Sequence, residues 1–304
     1  MSISKKLAIF RFEASPTIGA GHAIRSCVLA DALIERDWAC KVATSLTTYD
    51  FVPKLDRFER LDPDGFYQNP LLCDLLVVDN YELDQIYEKH FRRYAKKILV
   101  IDDFAKKKHD CDILLNQNFG FIESNYTHLV EQNCRLMLGI EYCLVDKSFY
   151  MISKRVKNIK KILFYMGGAG NINLVRDVII QCSEKYETAI SAGFINKTSE
   201  HQRSVADMMF QTDKIKDAYA WSDICVGFAG QGMFERYVMG IPSLIFSQNA
   251  AQHEVLNKIK CKNIIYCSDI KNISYGLLEG NFLKILENYK YTKQIANLDW
   301  IDEI

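Results

Sequence analysis

The stretch that most constrains this chain is residues 11–36, RFEASPTIGAGHAIRSCVLADALIER. An apolar run carrying Phe10 and Phe12 enters a loop, the loop holds Gly19, Ala20 and Gly21, and His22 follows at once. Ile24, Val28, Ala32 and Leu33 then recur at helical spacing. The pattern predicts a strand, a glycine loop and a helix. Such a turn aims free backbone N–H groups and the positive end of a helix dipole at one point. It also sets His22 and Arg25 on the first helical turn, facing the same space. Turns of this kind occur throughout α/β proteins without a ligand, and the third glycine of a dinucleotide fingerprint would fall at Ile24. The histidine singles this loop out. A helix N-terminus disfavours a cation, which makes His22 a candidate base at neutral pH.

The alternation continues. Strands are expected at residues 40–44, 71–79, 97–101 and 113–115, with a helix at 84–94 and irregular chain over 47–70. The run LLCDLLVVD at 71–79 is apolar on both faces, as a strand of a covered parallel sheet must be. It ends in Asp79, Asn80 and Tyr81, and ligands of open α/β sheets gather beyond strand carboxyl ends. Tyr81 is therefore placed to line a site or to pack over the sheet edge. Asp102 and Asp103 adjoin a strand end, where neighbours point to opposite faces. The pair reads as a loop in which one carboxylate caps backbone N–H groups, and Asp79 reads the same way. The basic stretch 153–161, SKRVKNIKK, reads as a linker.

The second half opens like the first, with a strand at 162–165, a loop with Gly167 and Gly168, and a helix at 173–186. Strands are expected at 188–192 and 224–228. The latter runs into Gly230, Gln231 and Gly232 and a helix at 233–239, which Gly240 and Pro242 stop. A strand at 243–246, a helix at 251–259, a short strand at 264–266 and a helix at 277–288 follow, and a final segment with Trp300 is placed to pack back on the first half. The fold class is α/β, two doubly wound Rossmann-like domains facing a cleft, divided at 1–152 and 153–304.

Composition narrows the function. The 304 residues carry 38 Lys+Arg against 38 Asp+Glu, so no global field steers the chain to nucleic acid or an anionic membrane. No apolar run approaches the ~18 residues of a membrane span, and the start is too short in apolar residues for a signal peptide. A cytoplasmic protein without a membrane anchor is expected. The ten cysteines are scattered without a CxxC pair and the six histidines form no HExxH, so no metal is expected.

The stretch ASPTIGAGHAIRS resembles the opening of the UDP-sugar hydrolases of the pseudaminic acid pathway and their spore-coat-polysaccharide relatives, with Gly19, Gly21, His22 and Arg25 in register. Three further blocks are similar to that family in order: VIDDFAKKKHDCDILLNQN at 100–118, LGIEYCLVDKSF at 138–149 and AWSDICVGFAGQGMFERYVMGIPSLIF at 220–246. The resemblance implies a GT-B-type fold, with the nucleotide held mainly by the C-terminal domain. It implies a cofactor-free, metal-independent hydrolysis of a UDP-linked diacetamido-trideoxy sugar at C1. His22 matches the family's water-activating base, Tyr81 its D-x-Y tyrosine, and Glu235 the glutamate that reaches a nucleotide ribose.

The chain departs from the family pattern in places. Glu13 stands where aspartate is usual, and Asp146 replaces an arginine. Gln231-Gly232-Met233 replaces Ser-Thr-Thr, and the loop holding Gly167 and Gly168 lacks its Ser-Asp. Gln252 is in register but Ala251 replaces an asparagine, for which Asn249 is the nearest substitute.

Cleaving an anomeric C–O bond with a nucleoside diphosphate as leaving group needs a base for water, donors for the β-phosphate and a sugar held in line. His22 suits the first need and the Gly230–Gly232 loop the second, with a side chain at position 232 expected to face the diphosphate. A glycosyltransferase, or a nucleotide-sugar-binding protein without catalysis, is the alternative on the same fold.

Overall fold

The structure is a computed structural model, and it describes residues 5–152, 154–167, 172–191, 206, 208–210, 214–260, 263–289 and 298–304. The chain forms two compact units, one of Met1–Leu144 with Asn297–Ile304 and one of Val145–Ala296. The division thus falls at 144/145 rather than at 152/153.

The first unit is a seven-stranded, all-parallel sheet in the order β3-β2-β1-β4-β5-β6-β7. Its strands are β1 (Leu7–Phe12), β2 (Ala39–Ala43), β3 (Glu59–Leu61), β4 (Cys73–Asp79), β5 (Ala95–Ile101), β6 (Ile113–Asn116) and β7 (Arg135–Leu138). The helices are α1 (Gly21–Ile34), α2 (Leu46–Phe51), α3 (Pro63–Gln68) and α4 (Gln85–Phe91). β1 lies between β2 and β4, with Phe10 opposite Val42 on one side and Val77 on the other. Leu75, Leu76 and Val77 are wholly buried, as expected of a central strand covered on both faces.

Residues 47–70, expected to be irregular, are ordered. Ser45 caps α2 by accepting from the Thr48 amide at 3.2 Å, and Asp62 caps α3, which begins with Pro63. These elements are too short to show a period, and their caps are the legible part of them. β7, of four residues, escaped the pattern for the same reason. The Trp300 segment lies in the first unit, where Trp300 and Ile301 are buried and Arg36 holds Asp302.

The second unit is a six-stranded parallel sheet in the order β10-β9-β8-β11-β12-β13. Its strands are β8 (Lys161–Tyr165), β9 (Glu187–Ser191), β10 (Met208–Phe210), β11 (Ile224–Phe228), β12 (Ser243–Ser247) and β13 (Ile264–Asp269). Among the described residues its helices are α5 (Lys147–Tyr150), α6 (Arg176–Ser183), α7 (Ile215–Trp221), α8 (Gln231–Met239), α9 (Ala250–Leu256) and α10 (Tyr275–Asn288). Phe164, Val226, Leu244 and Phe246 of the sheet meet Ile179, Phe282 and Ile285 of the helices in one core.

The stretch expected to be a linker is held on this unit. Lys154 Nζ donates to the carbonyls of Ala220, Trp221 and Ser222 at 3.1, 3.0 and 2.6 Å, closing the C-terminus of α7, and Val156 is buried. Ser153 and Ala192 lie outside the described residues. Gly240 ends α8 with φ 72°, a left-handed cap that glycine adopts without steric cost. No disulfide joins the described cysteines, and no helix among the described residues is long and apolar enough to cross a membrane.

Candidate active site

Four adjacent strands of the first sheet deliver side chains to one carboxyl-side cluster, at the switch point where chain order reverses beside β1. The β1–α1 turn is closed by a two-residue bridge between Ser15 and Gly19, whose φ of 89° suits glycine. No side chain caps α1, and a side chain at Gly21 would meet open space. His22 and Arg25 project from the first turn of α1 and are 6% and 5% exposed.

Asp79, the last residue of β4, receives both. Its Oδ1 lies 2.5 Å from His22 Nδ1 and 2.5 Å from Arg25 Nη2, and its Oδ2 accepts from Arg25 Nε at 2.7 Å. The guanidinium also forks onto Asp103 after β5, with Nη1 to Oδ1 at 2.9 Å and Nη2 to Oδ2 at 3.0 Å. Asn118, beyond β6, donates to Asp103 Oδ1 at 2.8 Å. Tyr81 donates its hydroxyl to Asp103 Oδ2 at 2.6 Å and stands edge-on to the His22 ring at 4.4 Å between centroids.

Charge settles the proton positions. Burial opposes ionisation of Asp79, but the Arg25 guanidinium, and after it His22, more than offset burial and hold its carboxyl well below the usual range. Asp103 is also lowered, against burial, by Arg25. Arg25, despite burial, is held cationic by Asp103 and Asp79. An ionised Asp79 accepts, so the His22 Nδ1–H donates to it. The 3.3 Å approach of Arg25 Nη2 to Nδ1 is then a contact between two donors. Nε2 remains as the ring nitrogen that can take a proton. Tyr81 is 41% exposed as a residue, yet its hydroxyl turns inward; burial and then the Asp103 charge push the phenol pKa far up. Tyr81 is a neutral phenol whose proton is committed to Asp103.

The structure thus brings His22, Arg25 and Tyr81 together, as their positions in sequence suggested. It bears out the reading of the Asp102–Asp103 pair, in which one carboxylate caps backbone, and corrects that of Asp79. Asp102 caps the loop, accepting from the Phe104 and Ala105 amides at 3.1 and 2.8 Å. Asp103 points the other way into the cluster. Asp79 binds side chains instead of capping backbone. The available signal was a carboxylate closing the strand that neighbours β1.

The second unit gathers the remaining candidates. Gly167 (φ 76°) follows β8, Gly230 (φ 137°) follows β11 and Asn249 follows β12, three adjacent parallel strands whose loops leave one sheet edge. Gly230 caps α8 and Gln231 begins it. Gly168 lies outside the described residues. Asn249 Oδ1 accepts from the Gln252 amide at 2.9 Å, and Gln252 Oε1 accepts from the Gln248 amide at 2.8 Å. Both carbonyl oxygens therefore serve the start of α9. Glu235 is buried, with the Tyr219 hydroxyl donating to it at 3.2 Å, beside the fully buried Arg236.

Gly232 differs from expectation. A Cβ there would lie 2.7 Å from Tyr219 Oη, 2.9 Å from Tyr165 Cε1 and 3.2 Å from Arg236 Nη1. The position faces the interior, because α8 packs its first turn on those rings; glycine is there for close approach. Gly232→Ala is expected to lower stability by about 1–3 kcal/mol through overpacking, read as a lower urea midpoint at unchanged slope. An unchanged midpoint would show that Tyr165 and Tyr219 yield freely.

Comparison with known proteins follows the same lines. No protein-family model matches the chain. Over 173 residues it is 32% identical to the UDP-2,4-diacetamido-2,4,6-trideoxy-beta-L-altropyranose hydrolase of Campylobacter jejuni subsp. jejuni serotype O:2, a stretch covering 55% of this chain and 62% of that protein. The chain thus spans less than two thirds of the curated relative it matches. The UDP-GlcNAc 2-epimerase of Neisseria meningitidis, solved with UDP-GlcNAc, superposes at a TM-score of 0.59 with 11% identity, over 98% of each chain. A UDP-glucosyltransferase from Polygonum tinctorium superposes at 0.60 with 10% identity, over 97% of this chain and 95% of its own. At these identities the likeness is one of fold: the α/β architecture with two parallel sheets is of the GT-B type.

Proposed function

We propose that this chain hydrolyses a UDP-linked diacetamido-trideoxy sugar at C1, releasing UDP and the free sugar, with water activated by His22. The observation that carries the reading is the hydrogen bond from His22 Nδ1 to Asp79, 2.5 Å long and buried. It fixes the tautomer and leaves Nε2 as base, while Asp79 stabilises the imidazolium formed when water gives up its proton. The oxygen of that water then bonds to C1 as the bond from C1 to the phosphate oxygen breaks, and the β-phosphate leaves with the electron pair. The similarity to a UDP-sugar hydrolase supports the substrate class.

In this reading the nucleotide lies on the second unit. The start of α8, whose N-cap is Gly230, is assigned to the diphosphate, which the positive end of the helix dipole favours, and Gly167 borders the same edge. Glu235 is assigned to the ribose, with the Tyr219 hydroxyl holding it. A pathway role in making pseudaminic acid follows from the sugar.

The test is phosphorus NMR of the purified chain with UDP-2,4-diacetamido-2,4,6-trideoxy-β-L-altropyranose and no acceptor. Appearance of free UDP with stoichiometric sugar is expected. Release only after an acceptor is added would make the chain a transferase, and binding without release a nucleotide-sugar-binding protein.

A further inference from the structure

The groups that face His22 are Arg25 from its own helix, Asp79 from the end of β4, Tyr81 from the loop after it and Asp103 from the loop after β5. Their charges do not balance. Asp79 and Asp103 contribute two negative charges, Arg25 one positive, and Tyr81 none. With His22 neutral, the buried cluster carries one excess negative charge. With His22 protonated it carries none. Asp79 touches the imidazole directly and is needed to hold it. Asp103 makes no hydrogen bond to His22, yet it supplies the second carboxylate that leaves the charge uncompensated.

We infer that Asp103 is a positioning residue for this site: it shares Arg25 with Asp79, holds Tyr81 against the His22 ring and supplies the second negative charge that the imidazolium formed in the reaction would meet. The inference rests on His22 being the base. Three features fit this role better than a purely structural one. Arg25 is shared as a fork between the two carboxylates, so each aspartate keeps the guanidinium from neutralising the other completely. Asn118 donates to Oδ1 and Tyr81 to Oδ2, which stabilises Asp103 as an anion without adding charge. The Tyr81 hydroxyl, its proton committed to Asp103, then has only lone pairs left to offer. It can accept from water or a sugar N–H, and it is not the acid that protonates the leaving group.

The sign of the test follows. Asp103→Asn removes the excess negative charge, so protonation of His22 leaves a net buried positive charge and becomes harder. Activity lost on His22 protonation should then be lost at lower pH. The acidic limb of kcat against pH should move down by roughly one unit, and kcat at the plateau should fall about tenfold, because the imidazolium in the transition state loses the same stabilisation. KM for the UDP-sugar should stay within about twofold. Tyr81→Phe keeps the carboxylate but removes a donor to it, so the limb should move the other way, to higher pH. This second variant decides the matter if Asp103→Asn does not fold.

The His22 ring protons, followed by NMR from pH 8 to 4.5 in wild type and both variants, give the same signs without turnover. Opposite shifts in the two variants support the inference. An unmoved midpoint in Asp103→Asn, or shifts of the same sign in both, overturns it. Should the wild type release no UDP, the hydrolase reading fails by itself and the NMR titration still decides on Asp103.

Discussion

Replacing His22 by asparagine is expected to lower kcat by about 10²–10⁴-fold while KM for the UDP-sugar stays near that of the wild type. The amide of the new side chain still donates to Asp79, so the carboxylate keeps a partner and the turn keeps its shape. What is lost is the ring nitrogen that takes the proton from water. The acidic limb of the rate profile should vanish with it, since the remaining activity no longer depends on that titration. A packing role for His22 predicts the reverse: lower stability, weaker nucleotide binding and an unchanged pH profile. Turnover at the wild-type rate in this variant would overturn the mechanism.

The largest effect on stability is expected from Arg25→Ala. The guanidinium is the only cation hydrogen-bonded to Asp79 and Asp103 among the described residues. Its removal leaves two buried carboxylates facing each other, and breaking such a buried arrangement costs about 3–5 kcal/mol. The pH dependence should change sign. In the wild type both aspartates have depressed folded-state pKa values, so their contribution is present above the unfolded value of about 3.9 and is lost as pH falls below it. Without Arg25, burial and mutual repulsion raise those values above the unfolded one. The variant should then gain stability as pH falls from 7 to 5, where a carboxylate can take up a proton. Urea midpoints at the two pH values measure this, and a midpoint no higher at pH 5 than at pH 7 would rule it out. Arg25→Lys should recover only part of the loss, since an ammonium cannot present the fork that meets both carboxylates.

Much of this site was legible before folding. His22 and Arg25 share a helical turn by spacing alone, and Tyr81 follows a strand too apolar to be anything but central. Asp79 and Asp103 were legible as strand ends and not as partners. Whether a carboxylate caps backbone or meets a side chain depends on which strand lies beside it, and sheet order does not show in local sequence. His109 and Glu88 make the point from the other side. They form a second buried histidine–carboxylate pair, Nδ1 to Oε1 at 2.7 Å, but His109 Nε2 is enclosed without a partner. The same chemistry is structural there because nothing reaches the second nitrogen. Gly232 was misread for a related reason: a glycine before a helix invites a ligand-facing reading, and only the positions of Tyr165 and Tyr219 show that its missing side chain makes room inward.

The return of the last residues to the first sheet has a consequence for dissection. Lys97 Nζ donates to the Ile304 carbonyl at 2.9 Å, Arg135 pairs with Glu303, and Trp300 is buried, all within the unit that begins at the other end of the chain. The second unit is therefore one uninterrupted segment, 145–296, while the first is assembled from two. A gene cut once near residue 144 yields an amino-terminal product stripped of its cover and a carboxyl-terminal product carrying an orphan apolar tail. Independent expression of the His22 half calls for residues 297–304 to be grafted back behind residue 144.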